Sequence, residues 1–205
     1  RRVFILCGRI RTGFLPTTPN TLETPMPTQS ITLEDAVAPF YIGIDVGGTT
    51  IKIGILDNLG RTLAYTSFAT EGQKPTADAI DRMKQVVTHL VESSGLEWAS
   101  VAAVGLGTPG SMDIKRGYIL EPSNLPGWRH FPIRQALADA LGKPVTYTND
   151  ANAAAFGEYW VGGGQQYPSM IMITLGTGVG GGIIIGDFSI EGENSYGSEI
   201  GHIPV

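Results

Sequence analysis

Cysteine is almost missing from this chain: Cys7 is the only one among 205 residues. That excludes an internal disulfide framework and a zinc site made from cysteines of these residues, and it fits a reducing compartment. Positive charge is also short, with 14 Lys and Arg against 19 Asp and Glu, a net charge of −5 and a pI near 5.1. No basic field is available for nucleic acid or an anionic membrane surface, so any phosphate group has to be held by local geometry. Long apolar runs are absent too; none approaches the roughly 20 residues that a membrane-spanning helix requires. What remains is an ordinary globular composition, 42% hydrophobic and 16% charged, enough to bury a core as one large or two small domains. A soluble, cytoplasmic protein with a small-molecule ligand, and without nucleic-acid or membrane partners, is expected.

Residues 1–39 differ from the rest. Val3 to Cys7 is an apolar run shorter than the roughly 7–15 residues of a secretory core and lacks a convincing cleavage site, so a leader is favoured over a signal peptide. Leu15 to Ser30 carries Pro16, Pro19, Pro25 and Pro27 among threonines, a composition that does not pack and stays extended. A disordered leader or linker over 1–39 is expected. The chain opens on Arg1, with Met26 a plausible start, and stops at Val205 just after a dense motif, as a fragment of a longer protein would.

Regular periodicity begins at Phe40. Phe40 to Val46, Ile51 to Leu56 and Thr62 to Phe68 read as an antiparallel three-stranded start. Pro75 and Thr76 open a helix whose apolar positions Ile80, Met83, Val87, Leu90 and Val91 share one face and which Gly95 ends. Val101 to Leu106 reads as a parallel strand, Pro132 to Leu141 as a second helix, Val145 to Thr148 as a strand, and Asp150 to Trp160 as a third helix. Met170 to Leu175 and Gly182 to Ile185 repeat the opening strand–glycine turn–strand pattern. An α/β protein of two related lobes follows, the first over 40–148 and the start of the second over 149–205.

The two glycine turns carry the functional signal. They are Asp45-Val46-Gly47-Gly48-Thr49-Thr50 and Leu175-Gly176-Thr177-Gly178-Val179-Gly180-Gly181-Gly182. Glycine lets backbone N–H groups close on a phosphate, yet a single such turn is indistinguishable from a Gly-Gly hairpin. Two of them with Asn149-Asp150 between point to a nucleotide held between two lobes. Asp150 falls where a strand ends and a helix begins, so the helix dipole would keep it ionised as a proton acceptor; the alternative is a carboxylate that only caps the helix. Lys52 is either a phosphate contact or an exposed strand lysine. His89, His130, Trp98 and Trp160 read as structural or solvated residues.

Five ordered motifs then carry a resemblance: the two turns, Gly107-Thr108-Pro109-Gly110, Asn149-Asp150-Ala151-Asn152-Ala153, and Gly197-Ser198-Glu199-Ile200-Gly201-His202. Over Tyr41 to Val205 the chain resembles the ROK family of repressors, open reading frames and kinases. The resemblance implies an actin-like (ribonuclease H-like) fold with the first lobe complete and the second truncated, and an ATP- and Mg²⁺-dependent sugar kinase similar to the glucokinase group. Such a protein would be a homo-oligomer, most simply a dimer, when whole, and these 205 residues alone would not turn over sugar.

The family pattern assigns roles residue by residue. Asp150 is implied as catalytic base. Asp45 is implied to orient Mg²⁺, with Gly47, Gly48, Thr49 and Thr50 on the phosphates and Gly176, Thr177, Gly178 and Gly180 as the second clamp. Gly110, Asn124, Asn149, Asp150, Glu199 and His202 are implied on the sugar; for Asn124 a loop-capping role is equally open. His202 is also implied as a ligand of structural Zn²⁺ whose other ligands lie past Val205. Ser198 stands where the family has glycine. Two further readings stay open: a sugar-sensing transcriptional repressor of the same family, for which the Pro/Thr-rich leader supplies no DNA-binding helix pair, and a non-sugar actin-like ATPase, which would leave Glu199 and His202 without a purpose.

Overall fold

From Phe40 the chain has short runs rich in Ile, Val and Thr, residues that favour strands, separated by turn residues. A computed structural model of the chain describes residues 30–175, 179–193 and 195–202. Its elements in chain order are β1 (Phe40–Val46), β2 (Thr50–Leu56), β3 (Thr62–Ala69), α1 (Thr76–Ser93), β4 (Val101–Thr108), the short hairpin β5 (Met112–Asp113) and β6 (Tyr118–Ile119), α2 (Ile133–Leu141), β7 (Val145–Asn149), α3 (Asp150–Val161), β8 (Ser169–Leu175), β9 (Val179–Ile185) and β10 (Phe188–Ser189).

The first sheet has the order β3-β2-β1-β4-β7. β2 runs antiparallel to both β1 and β3, while β4 runs parallel to β1 and β7 parallel to β4. Ile42, Ile44, Ile51, Ile53, Ile55 and Leu106 are fully buried in it, and α1 and α2 pack on each other and close the core with Met83, Val87, Ile133 and Leu137. Gly142 in the left-handed region ends α2, its N–H donating to Ala138 O at 2.8 Å, and Val104 N–H of β4 donates to the Pro144 carbonyl at 2.9 Å just before β7. The second sheet, β10-β9-β8, is antiparallel. α3 packs on its β9 side so closely that a Cβ on Gly182 would collide with Ala155 and one on Gly180 would lie 3.2 Å from Ala151 Cβ.

The leader expected through residue 39 does not extend that far. Ile31 N–H donates to Thr62 O at 2.9 Å, Asn58 N–H to Val37 O at 2.8 Å, and Arg61 Nη2 to Asp35 O at 2.7 Å. Residues 30–39 are thus strapped to the first sheet by backbone bonds that composition alone does not announce; residues 1–29 lie outside the described part.

Candidate functional site

Because β1, β4 and β7 are parallel and in register, with Asp45 opposite Gly107 and Thr108 opposite Asn149, their carboxyl ends finish on one edge of the sheet. Crevices outside the carboxyl ends of parallel strands are where α/β sheets bind ligands. A cleft of about 970 Å³ opens there, lined by the ends of these strands, the start of α3, and the β8–β9 arms of the second sheet. It gathers Asp45, Gly47, Gly48, Gly110, Asn124, Asn149, Asp150, Gly180 and Glu199, which come from segments far apart in sequence.

Each of these side chains is held by its local structure. Asn149 is the N-cap of α3, its Oδ1 accepting from Ala151 N–H at 2.9 Å, and Asp150 Oδ1 accepts from the same amide at 2.8 Å. β7 is fixed behind them by the buried Thr108–Tyr147 hydroxyl pair at 2.9 Å, where burial pushes the Tyr147 phenol up to about 12. Asp45 forms a cross-strand pair with Lys52 Nζ at 3.4 Å, which ties that lysine to the carboxylate on the strand rather than leaving it free in the cleft.

Asp150 is exposed at the mouth of the cleft, and opposing influences act on its carboxyl: desolvation by the surrounding protein pushes its pKa up, the Ala151 amide opposes the rise, and the charges of Asp45 and Glu199 add to it. A raised carboxylate is the better matched proton acceptor near neutral pH.

Other expectations change in their physical reason. Gly47 N–H is spent on Thr50 O at 2.9 Å, and Thr70 closes the same turn by donating from Oγ1 to Gly47 O at 2.7 Å and from N to Thr49 O at 2.9 Å. The Gly47 amide therefore stabilises the turn itself. Thr49 and Thr50 belong to the turn and to β2 and are not among the cleft-lining residues. Gly110 has φ +84, and a Cβ there would lie 2.6 Å from Pro122 Cα, so the glycine is dictated by its backbone and the packed Pro122 loop. Gly180 and Gly182 serve the approach of α3 to β9, and Gly181 that of Ile200 on the other face.

Asn124 lines the cleft beside Gly48, while its loop is closed by backbone bonds from Leu125 N–H to Pro122 O at 3.2 Å and from Trp128 N–H to Leu125 O at 2.9 Å. Ser198 has φ 72, the conformation glycine favours, and its Oγ accepts from Ile183 N–H at 3.2 Å and donates to Ile190 O at 3.2 Å. The serine keeps the glycine-like backbone and presents Glu199 to the cleft. Gly176, Thr177 and Gly178 lie outside the described residues, as does the His202 side chain; the His202 backbone ends a single 3₁₀ turn over Ile200–His202. Among the described residues no group of three or more His, Cys, Asp or Glu side chains is arranged to hold a metal ion.

Sequence reasoning missed Ser111, Glu121, Ser123 and Tyr196, which also line the cleft. Ser111 Oγ accepts from Glu121 N–H at 3.1 Å, and His130 Nε2 approaches Glu121 Oε1 at 3.4 Å on the exposed rim. Gly110, between β4 and β5, packs on Pro122 of the β6–α2 connection, a tertiary contact that no local sequence signal announces.

Known proteins share this arrangement. The ROK family model matches residues 41–205. The chain belongs to the ROK family. It is 40% identical over 173 residues to a glucokinase from Halalkalibacterium halodurans, covering 81% of this chain and 50% of that protein. Among solved structures, a ROK family glucokinase from Streptomyces griseus in complex with glucose and AMPPNP is 42% identical with a TM-score of 0.70, over 81% of this chain and 51% of the other. A ROK hexokinase from Thermus thermophilus is 36% identical with a TM-score of 0.73, over 81% and 53%. The resemblance read from five motifs and the actin-like ATPase fold it implied both hold. The chain spans about half the length of the curated relatives it matches.

Proposed function

We propose that the whole protein is an ATP-dependent hexose kinase with glucose as its preferred substrate. The observation that carries this reading is the Asp150 carboxyl set at the head of α3 in a cleft that also holds Asp45, Asn149 and Glu199. The donor set fits nucleotide and metal together: several carboxylates in one cleft repel a bare polyphosphate and suit one that carries a divalent cation. Mg²⁺ is commonly held by one or two carboxylates plus phosphates and waters, so Asp45 suffices without a dedicated protein cage. When bound, MgATP supplies the phosphoryl group and neutralises its charge.

The chain's own residues do the rest. Asp150 accepts the proton of the attacking sugar hydroxyl as that oxygen bonds to the γ-phosphorus and the bond to the β–γ bridging oxygen breaks, releasing ADP. Asn149 spends Oδ1 on the helix cap, which leaves its NH₂ to donate to a sugar hydroxyl. Glu199 accepts from a second hydroxyl and Asn124 aligns the ring beside Gly48. Positioning and electrostatics supply most of the acceleration in such a reaction.

A coupled ADP-release assay on the whole protein with glucose, mannose, fructose, N-acetylglucosamine and N-acetylmannosamine tests the reading. Glucose should give the highest kcat/KM, and deoxy analogues should lose far more than one methylene's worth of discrimination because buried hydrogen-bonding groups are left unpaired. Absence of turnover with every sugar would end the kinase reading.

A further inference from the structure

Behind the cleft, at the opposite end of the first sheet, the two halves of the molecule touch again. The β2–β3 turn carries Gly60 with φ +76, and a Cβ there would collide with Val161 Cγ1 and lie 3.1–3.2 Å from the Trp160 ring, both at the C-terminal end of α3. This turn is among the most firmly held in the chain. Asp57, with no exposed side-chain surface, accepts from Leu59 N–H at 3.0 Å, Arg61 N–H at 2.9 Å, Val37 N–H at 3.2 Å and the Arg61 guanidinium at 2.7 Å. Gly60 N–H closes the turn on Asp57 O at 3.0 Å, and the 31–37 strap bonds to both sides of it. Asp150 begins the same helix that Val161 ends. At about 1.5 Å per residue a helix of this length is a stiff rod of roughly 18 Å.

We propose that Gly60, Trp160 and Val161 are positioning residues for the reaction: they form a fulcrum that sets the tilt of α3 and hence where its first turn holds Asn149 and Asp150. A helix pinned at both ends transmits a displacement at one to the other, since its first half, from Ala151 to Ala155, packs on Gly180 and Gly182 with no room to absorb it. Only the placement of Asp150 as base rests on the proposed kinase function; the mechanical coupling does not.

Gly60→Ala, Val161→Ala and the double variant of the whole protein test it through kinetics and hydrogen exchange. Gly60→Ala should lower kcat roughly tenfold while changing the glucose KM less than about twofold, the signature of an interaction realised in the transition state. Removing Cγ1 with Val161→Ala in that background should recover at least roughly threefold, a non-additivity that independent sites do not show. Amide exchange in Gly60→Ala should quicken along α3 and in Gly180–Gly182, far from the substitution. Exchange changes confined to 57–61 and 158–162, or strictly additive single effects on kcat, would overturn the fulcrum. If Gly60→Ala does not fold, Val161→Ala alone carries the same exchange comparison, and if the wild type phosphorylates no sugar the kinase reading falls while exchange still decides the coupling.

Discussion

The two sheets are built from the same local pattern and end in opposite states. In the first, strand–glycine turn–strand is followed by two helices and two parallel strands, and Ile44 and Ile53 are wholly buried. In the second, one face is covered by α3, but Ile171 is 65% exposed, Ile173 54% and Leu175 80%, aligned with Ile183, Gly181 and Val179 on the neighbouring strand. Local sequence dictated both hairpins; whether a hairpin's second face is dry depends on what else packs against it. The cleft lies between a sheet whose central strands are buried and one whose outer strand is exposed.

The largest effect expected is at the junction of the two regions. Asp150→Asn in the whole protein should leave nucleotide and sugar binding nearly intact and lower kcat by roughly 10²–10⁴, the usual contribution of a general base. Stability should move the other way. A carboxyl whose pKa rises on folding disfavours the ionised native state, a cost that appears as pH climbs above its unfolded value, so the variant should melt no lower than wild type at pH 7. More than about half of wild-type kcat would remove Asp150 from the base role.

Next in size is the covered core. Ile44→Ala in this 205-residue chain should cost about 2–5 kcal/mol in urea unfolding, the transfer and cavity terms of a fully buried side chain. A cost under about 1 kcal/mol would mean the first sheet is no better packed than the second.

The anchor of the first region titrates. Burial alone would raise Asp57, but the Arg61 guanidinium and the amides of Arg61, Val37 and Leu59 outweigh it and hold the carboxyl below its ordinary range. A depressed carboxylate contributes stability that is present above its unfolded pKa and lost as pH falls through its native value. Asp57→Asn should therefore cost about 2–4 kcal/mol at pH 7, much of it from leaving buried partners unsatisfied, and less as pH drops below about 4. Equal costs at pH 7 and at low pH would show that the charge is irrelevant and that only shape holds the strap.

What could be read beforehand follows the same divide between local and remote causes. The strands from Phe40 to Phe68, both long helices and the motif order were legible because periodicity and turn residues are local. The β5–β6 hairpin was not, since two-residue strands have no period. Glu121 and Tyr196 join the cleft only because distant loops fold over it. Asp150 was legible at the head of α3, but the rise in its pKa, from desolvation first and from the charges of Asp45 and Glu199 after it, comes from tertiary contacts that sequence spacing does not show. Gly180 of β9 was read as part of a phosphate clamp; the approach of Ala151 and Ala155 gives Gly180 and Gly182 a packing reason that only the tertiary structure reveals.

The smallest effect expected lies on the open face. Ile173→Ala in the 205-residue chain removes an exposed side chain with little to lose, so unfolding should shift by no more than about 0.5 kcal/mol, against the several expected for Ile44. The same face should govern association, since contiguous apolar surface drives self-contact and an introduced charge opposes it. Ile173→Lys should accordingly lower the aggregation of the 205-residue chain, measured by light scattering at fixed concentration, while Ile173→Ala lowers it less. A loss of about 2 kcal/mol or more from Ile173→Ala would mean that this face is covered in solution and that the two sheets are alike after all.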